Sequence, residues 1–453
     1  MSIIHAKRAL LPSGWVENVS VEISAGRIAN VSANRSETPD VCHVDILLPA
    51  VANLHSHAFQ RAMAGMTEYR TAGQDSFWTW RALMYRFLER LAPDQVEAIA
   101  AQVYIEMLEA GYASVGEFHY LHHGPDGRTY DDLAEMSVRI AAAASETGIG
   151  LTHLPVLYMQ GGTDGRSLAG GQRRFGNDLA QFERLLEAAE RAVGALGEDA
   201  RVGIAAHSLR AVGVEALTEA TALRPEAPFH IHIAEQVAEV SEVLASHGAT
   251  PVKWLLEIMD VDARWCLIHA TQMTPQETEG LARSGAVAGL CPITEANLGD
   301  GIFDGARYLG AGGRFGIGSD SNVRIALAEE LRTFEYSQRL RDRGRAVLAN
   351  EEASTGRVLY EAAARDGAQA LGRSAGTIGV GNWADLVALD GDDLAFAGLG
   401  GDHLLDGWIF AGDDRLVRDV WSAGRHVVRE GRHVARDRVE ARFRQVIAAL
   451  RDA

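Results

Sequence analysis

The chain almost lacks lysine: of its 43 basic residues only Lys7 and Lys253 are lysines, the rest being arginine. Cysteine is also scarce. Cys42, Cys266 and Cys291 are odd in number and far apart, which excludes a disulfide framework and a Cys-type zinc module and fits a reducing compartment. No apolar run reaches the roughly 18 residues of a membrane span. The opening Met1-Ser-Ile-Ile-His-Ala-Lys-Arg shows no signal-peptide core, so a cytoplasmic protein is expected. Positive charge is in deficit, with a formal net charge of −18. Phosphates would be repelled over most of the surface, which argues against nonspecific nucleic-acid binding. A small anionic substrate would bind only through local arginines.

What is present divides into two kinds of chain. With 453 residues, a large domain of roughly 250–330 residues plus a smaller one is the natural partition. Residues 2–34 alternate apolar and polar positions around turn signals at Pro12-Ser13-Gly14 and Ala25-Gly26, and read as short antiparallel strands. Thr377–Asp390 and Arg418–Val428 read the same way. A small β-sandwich-like domain assembled from both termini, residues 1–48 and 375–453, is expected to bracket a central domain over 49–374.

The central part alternates apolar runs with helical stretches. Eight strands are expected: Ile46–Leu54, Ala113–Phe118, Leu151–Leu157, Val202–Ala206, Phe229–Ile233, Trp265–Ile268, Ala286–Leu290 and Arg314–Ile317. Helices such as Pro93–Ala110, Leu133–Thr147, Asp178–Leu196, Val214–Ala222 and Gln236–His247 lie between them. Eight strand–helix repeats favour an α/β fold of the (β/α)8 TIM-barrel type. The rival, a doubly wound open sheet, lacks the Gly-rich dinucleotide turn after its first strand.

Polar residues gather where those strands end: His55-Ser56-His57 after the first, His230, His232 and Glu235 at the fifth, His269 at the sixth, and Asp320 in Gly-Ser-Asp-Ser after the eighth. Barrel active sites are built at this carboxyl face. A His-x-His pair on a strand puts both imidazoles on one side, because side chains alternate with period two. A further strand-end histidine and an aspartate make a set that suits zinc, or iron, and leaves room for water.

These residues resemble the amidohydrolase superfamily, nearest to its aminohydrolase branch. The resemblance extends over almost the whole chain, including Gly381-Asn-Trp-Ala-Asp-Leu-Val387. It implies that His55, His57, His232 and Asp320 bind one metal ion, that Glu235 shuttles a proton, and that His269 orients the nucleophile, with Asp320 also counted in the chemistry. Binuclear relatives bridge their ions with a carboxylated lysine ending the fourth strand. Here that strand ends Ala205-Ala206-His207, so a single ion, zinc or alternatively iron, is expected. The family also suggests a homodimer.

Gln60, Arg81, Tyr120, His207 and Arg210 lie near strand ends or follow them. Arginine forks pair bidentately with carboxylates, so two of them in one pocket would suit a dicarboxylate. Leu54-His-Ser-His-Ala-Phe-Gln-Arg61, Phe77-Trp-Thr-Trp-Arg81 and Gly116-Glu-Phe-His-Tyr120 resemble a subgroup of deiminases in histidine degradation whose substrate is a formimino-substituted glutamate. By that likeness the five residues bind the glutamate portion; the aromatic segment carrying Arg81 itself reads as a loop that could cover the site. A deaminase of another amidine or of a heterocycle such as guanine is the alternative. A metal-binding scaffold without catalysis would need neither Glu235 nor His269. His230 reads as barrel filling, His119, His122, His123 and His153 as structural or solvated, and Cys291 as a buried small hydrophobe. Asn297 is placed at the rim.

Overall fold

The computed structural model of the chain describes residues 2–33, 41–68 and 77–452, with the side chains of 77–79 and 452 outside that description. At the N-terminus the alternating residues form an antiparallel meander, β1 (Ser2–Leu11), β2 (Gly14–Ser24) and β3 (Arg27–Ala33). Next, β4 (Cys42–Pro49) lies parallel to β1. The run expected as one strand, Ile46–Leu54, is in fact divided between two sheets. It breaks after Pro49, where the N–H of Ala50 leaves the strand and donates to the carbonyl of Asp385 (2.9 Å). An unbroken apolar run announces burial without saying in which sheet.

The barrel begins with β5 (Val51–Ser56) and continues through β6 (Tyr112–His119), β7 (Gly150–Leu157), β8 (Arg201–Val202), β9 (Ile204–Ser208), β10 (Phe229–Ile233), β11 (Trp265–His269), β12 (Val287–Leu290) and β13 (Arg314–Ile317). Hydrogen bonds run in the order β6-β5-β13-β12-β11-β10-β9-β7, and pairing of β6 with β7 closes the ring. All these pairings are parallel. The short β8 is the start of the fourth barrel strand, set off by Gly203, where a Cβ would lie 2.6 Å from Leu154 and 2.9 Å from the carbonyl of Pro228. Because helices cover its outside and side chains fill its inside, the strands read as continuous apolar runs. This is a (β/α)8 barrel.

Both termini build the second sheet. β14 (Leu386–Leu389), β15 (Val417–Ser422), β16 (Arg425–Arg429) and β17 (Arg432–His433) join the N-terminal strands in the order β17-β16-β15-β14-β4-β1-β2-β3. Its apolar face, with Ile4, Val21, Leu386 and Trp421, forms a core separate from that of the barrel. The tail is less strand-rich than its Gly turns suggest. Thr377–Asp390 is strand only over Leu386–Leu389, and the chain ends in a helix, Arg436–Asp452, packed on the helix Pro93–Glu109. Val439, Phe443 and Val446 are spaced three to four apart, the helical period that a reading centred on glycines passes over.

An ion network with Arg373 and Asp385 buried at its centre joins the two units. Arg373 bonds Asp385 (2.5 Å) beside β14 and the carbonyl of Asp199 (2.5 Å) ahead of β8, while Arg425 of β16 bonds the Asp199 carboxylate (2.6 Å). Among the described residues no helix is long and apolar enough to cross a membrane.

Candidate active site

Four side chains converge at the carboxyl end of the barrel: His55 in β5, His57 one residue past it, His232 in β10 and Asp320 beyond β13. Their ligand atoms all lie within 4.8 Å of one another, and all four residues are buried. The eighth strand comes unusually close to the first. A Cβ at Gly318 would stand 2.6 Å from the Cβ of His55 and 2.8 Å from its carbonyl, so glycine is required there. The chain then turns through Asp320 at φ 46°, pinned by Asp320 N–H to the carbonyl of His55 (3.0 Å) and by His57 N–H to the carbonyl of Asp320 (2.9 Å). Asn322 donates to the carbonyl of Asp320 (3.0 Å) and to Ser56 Oγ (3.2 Å), and Asn53 and Ser319 complete the bracket.

Two of the three imidazoles are held as metal ligands are, while Nδ1 of His55 has no partner. His57 Nδ1–H donates to the carbonyl of Phe118 (2.8 Å) and His232 Nδ1–H to that of His207 (2.9 Å), which leaves each Nε2 with its lone pair. Those two Nε2 atoms nonetheless face each other at 3.3 Å, and Asp320 Oδ1 is 3.3 Å from Nε2 of both His55 and His57. Acceptors set against acceptors repel unless a cation lies among them. Four ligands at about 2.0–2.1 Å from a zinc ion would be separated by roughly 3.3 Å, so the donor set fits a single divalent ion. Burial, reinforced by the neighbouring histidines, holds His55 and His232 far below the usual imidazole range, and burial also lowers His57. All three are therefore neutral, the ligating form.

Beside this cluster stand Glu235 and His269, 4.0 Å apart. Burial pushes the Glu235 carboxyl up to about 7 against the pull of His269, helped by the nearby Asp320 and Glu239. For His269 burial opposes charge, but Glu235, Glu295 and Asp320 overcome it and raise the ring to about 10. Glu295, on the helix Pro292–Leu298 after β12, has its Oε1 3.3 Å from His269 Nδ1.

One cavity is lined by Glu235, His269 and Asp320 together with Gln60, Arg81, Tyr120, His207 and Arg210. Arg81 does not come from a loop. It lies on the helix Phe77–Leu88, where Nε donates to the hydroxyl of Tyr85 (2.7 Å) and Nη2 to that of Tyr158 (3.4 Å). The Phe77-Trp-Thr side chains of that expected lid segment lie outside the described residues. Gln60 Nε2 donates to Tyr120 (2.7 Å), whereas Gln60 Oε1 and Arg210 Nε are buried without a partner. Both residues line the cavity, so an acceptor and a cationic donor without protein partners stand at its wall. His207 is kept neutral by burial and by the charges of Arg210 and Arg81. Sequence reading missed Glu295, Tyr85 and Tyr158. Only the position of Glu295 just beyond a strand end could have signalled it, and the tyrosines look like core aromatics.

The remaining polar residues are otherwise engaged. His230 is fully buried and donates to the carbonyl of Ala370 (2.8 Å). His119, His122 and His123 each place Nε2 on a backbone carbonyl, and His153 on Ser137 Oγ. Burial raises the Cys291 thiol, keeping it protonated. Asn297 sits on the exposed rim, bonded to Glu68 (2.9 Å). Lys7 pairs with Asp45 in the terminal sheet and Lys253 faces Glu257 (3.9 Å), so neither lysine meets the four-residue cluster.

Known proteins share this architecture and much of the sequence. Residues 46–427 match the amidohydrolase family, and residues 1–41 match the N-terminal domain of formimidoylglutamate deiminase HutF. Formimidoylglutamate deiminase of Pseudomonas aeruginosa is 52% identical, with 100% of each chain aligned. The crystal structure of an amidohydrolase from Brucella melitensis superposes with a TM-score of 0.96 at 49% identity, over 99% of this chain and 100% of that one. A zinc-bound adenosine deaminase from Xanthomonas campestris, 21% identical, shares the fold over 100% of this chain and 98% of its own with a TM-score of 0.83. By the length of the family match and the full-length identity, the chain belongs to the amidohydrolase family.

Proposed function

We propose that the chain is a hydrolytic deiminase that converts N-formimino-L-glutamate and water into N-formyl-L-glutamate and ammonia, a step of histidine degradation, with one zinc ion held by His55, His57, His232 and Asp320. The observation that carries this reading is the cavity itself, which brings the Glu235–His269 pair together with Arg81 and Arg210. The full-length similarity to a formimidoylglutamate deiminase supports it. A bound divalent ion supplies Lewis acidity and lowers the pKa of water from about 15.7 toward 7.

The residues do the rest. Glu235 takes a proton from the attacking water as the C–O bond forms and gives it to the formimino nitrogen. It then passes the remaining hydroxyl proton to the same nitrogen as the C–N bond breaks and the formyl C=O forms, so both water protons leave in ammonia. A carboxyl near 7 is matched to both tasks at neutral pH. His269, cationic between carboxylates, opposes the negative charge that develops as water adds. Arg81 and Arg210 receive the two carboxylates, while Gln60, Tyr120 and His207 supply hydrogen bonds. Gln60 Oε1, an acceptor without a partner, suits an N–H of the formimino group.

The test is steady-state ammonia release from formiminoglutamate beside guanine, cytosine and adenosine, on protein of measured metal content. Turnover of formiminoglutamate alone is expected. Faster turnover of any of the heterocycles overturns the reading.

A further inference from the structure

His269 occupies a backbone conformation that L-residues avoid. Its φ is 68° and that of Ala270 is 50°, two successive non-glycine residues in the left-handed region. Such a turn persists only where its surroundings over-determine it. On the backbone side, Ala270 N–H donates to the carbonyl of Ile233 (3.0 Å) and Gln272 N–H to that of Ala234 (2.8 Å). These bonds tie the end of β11 to the end of β10, but they leave the imidazole free to rotate.

The ring is held from elsewhere. Glu295 Oε1 lies 3.3 Å from Nδ1 of His269 and also accepts the N–H of Cys291 (3.0 Å), which fixes the carboxylate to the start of its own helix. That helix is anchored in turn, because Ile293 N–H donates to Glu330 Oε2 (2.8 Å) on the helix Leu327–Asp342. His269 is 1% and Glu295 5% exposed, so no bulk water competes for the contact. The other ring nitrogen, Nε2, faces Glu235.

We infer that Glu295 is a positioning residue. It accepts the Nδ1–H of His269, sets the rotation of the ring, and so turns Nε2 toward Glu235 and the reacting centre. The inference rests on the proposed reading of Glu235 and His269 as the working pair. The geometry parallels other enzymes in which a buried carboxylate orients an imidazole through its far nitrogen. His269, Cys291 and Glu295 also have ligand atoms within 4.8 Å of one another. A second ion there would have to displace the proton of the buried Cys291 thiol, so the count of bound metal per chain distinguishes it from the contact argued here.

Two variants separate the alternatives. Glu295→Met keeps the volume and removes the acceptor, and Glu295→Gln keeps an amide oxygen in the same place. With formiminoglutamate as substrate, Glu295→Met should lose about 10–100-fold in kcat with KM nearly unchanged and one metal ion per chain retained. Glu295→Gln should recover most of that loss. In protein carrying 15N-labelled imidazoles, the Nδ1–H signal of His269, identified by its absence in His269→Gln, should shift in Glu295→Met. Unchanged kcat in Glu295→Met, equal damage in both variants, loss in step with metal, or a second bound ion in the parent would each overturn the inference. Should Glu295→Met not fold, the Glu295→Gln spectrum decides: a displaced His269 signal supports the contact and an unaltered one overturns it. The spectrum reads the contact without turnover, so failure of the substrate reading is distinguishable from failure of this one.

Discussion

Nε2 of His57 and Nε2 of His232 face each other at 3.3 Å while a backbone carbonyl holds the opposite nitrogen of each ring. Neither ring can rotate to turn its lone pair away without abandoning a buried hydrogen bond. The arrangement is one that a cation stabilises and that the bare protein tolerates poorly. Removing the metal with a chelator should therefore abolish ammonia release and lower the unfolding temperature, and stoichiometric zinc should restore both. An ion at 1,000 times its Kd contributes about 4.1 kcal/mol to stability. Full activity in metal-depleted protein would refute the assignment of the cluster.

Glu235 is the next target. Its N–H is tied to Glu239 (3.1 Å), and its carboxyl is raised by burial to about 7. Glu235→Gln keeps the shape and removes the proton acceptor, so kcat should fall by roughly 10²–10⁴ while metal content stays at one per chain. The check is turnover together with metal analysis. A kcat within a fewfold of the parent would show that another group carries the proton.

Much of this site was legible because barrel strands end abruptly. A histidine, glutamate or aspartate that closes an apolar run at Leu54, Ile233, Ile268 or Ile317 has few places to go but the carboxyl face. Gln60 and Tyr120 could be placed for the same reason, both lying just beyond a strand. Glu295 also lies just beyond a strand, but its role stayed hidden, because its partner His269 is 26 residues away and only the packing of a short helix brings them together. Asn53, inside an apolar run, and Ser319 and Asn322, in the polar turn after the eighth strand, show their purpose only when the first and eighth strands meet. The fold followed a similar pattern. Apolar runs located the eight barrel strands, while the transfer of Ile46–Pro49 to the other sheet depended on Pro49 and on a bond from Ala50 to Asp385.

The arginines should control substrate affinity more than fold. Arg210 Nε is buried without a partner, and Arg81 is steadied by Tyr85 and Tyr158. A substrate carboxylate would give Arg210 what the protein withholds. Arg210→Met should cost about 3 kcal/mol in kcat/KM for formiminoglutamate, roughly two orders of magnitude, with most of the change in KM. Tyr158→Phe frees only one bond of Arg81 and should cost less. Kinetics on both variants, with unfolding temperatures as control, tests this. Unchanged KM in Arg210→Met would remove the residue from the carboxylate site.

The buried histidines next to the site should make the protein acid-labile. His119 and His153 have ring centres 5.7 Å apart, and burial lowers each to about 3, with like-charge repulsion from other histidines adding to it. Nδ1 of both rings lacks a partner, so a second proton on either would be buried without a hydrogen bond. In the unfolded chain each titrates near 6.5. Below that pH the unfolded state binds protons that the native state refuses, so stability is complete above about 6.5 and declines as the pH falls toward 3. At up to about 1.4 kcal/mol per pH unit for each group, and half that at pH 6.5, the two together remove roughly 3 kcal/mol between pH 6.5 and 5. Because the metal ligands titrate over the same range, the informative quantity is a difference. His153→Gln, whose amide can still reach Ser137, should flatten the decline in urea unfolding free energy by about 2 kcal/mol over that interval. Parallel curves for variant and parent would show that His153 does not take part in the acid lability.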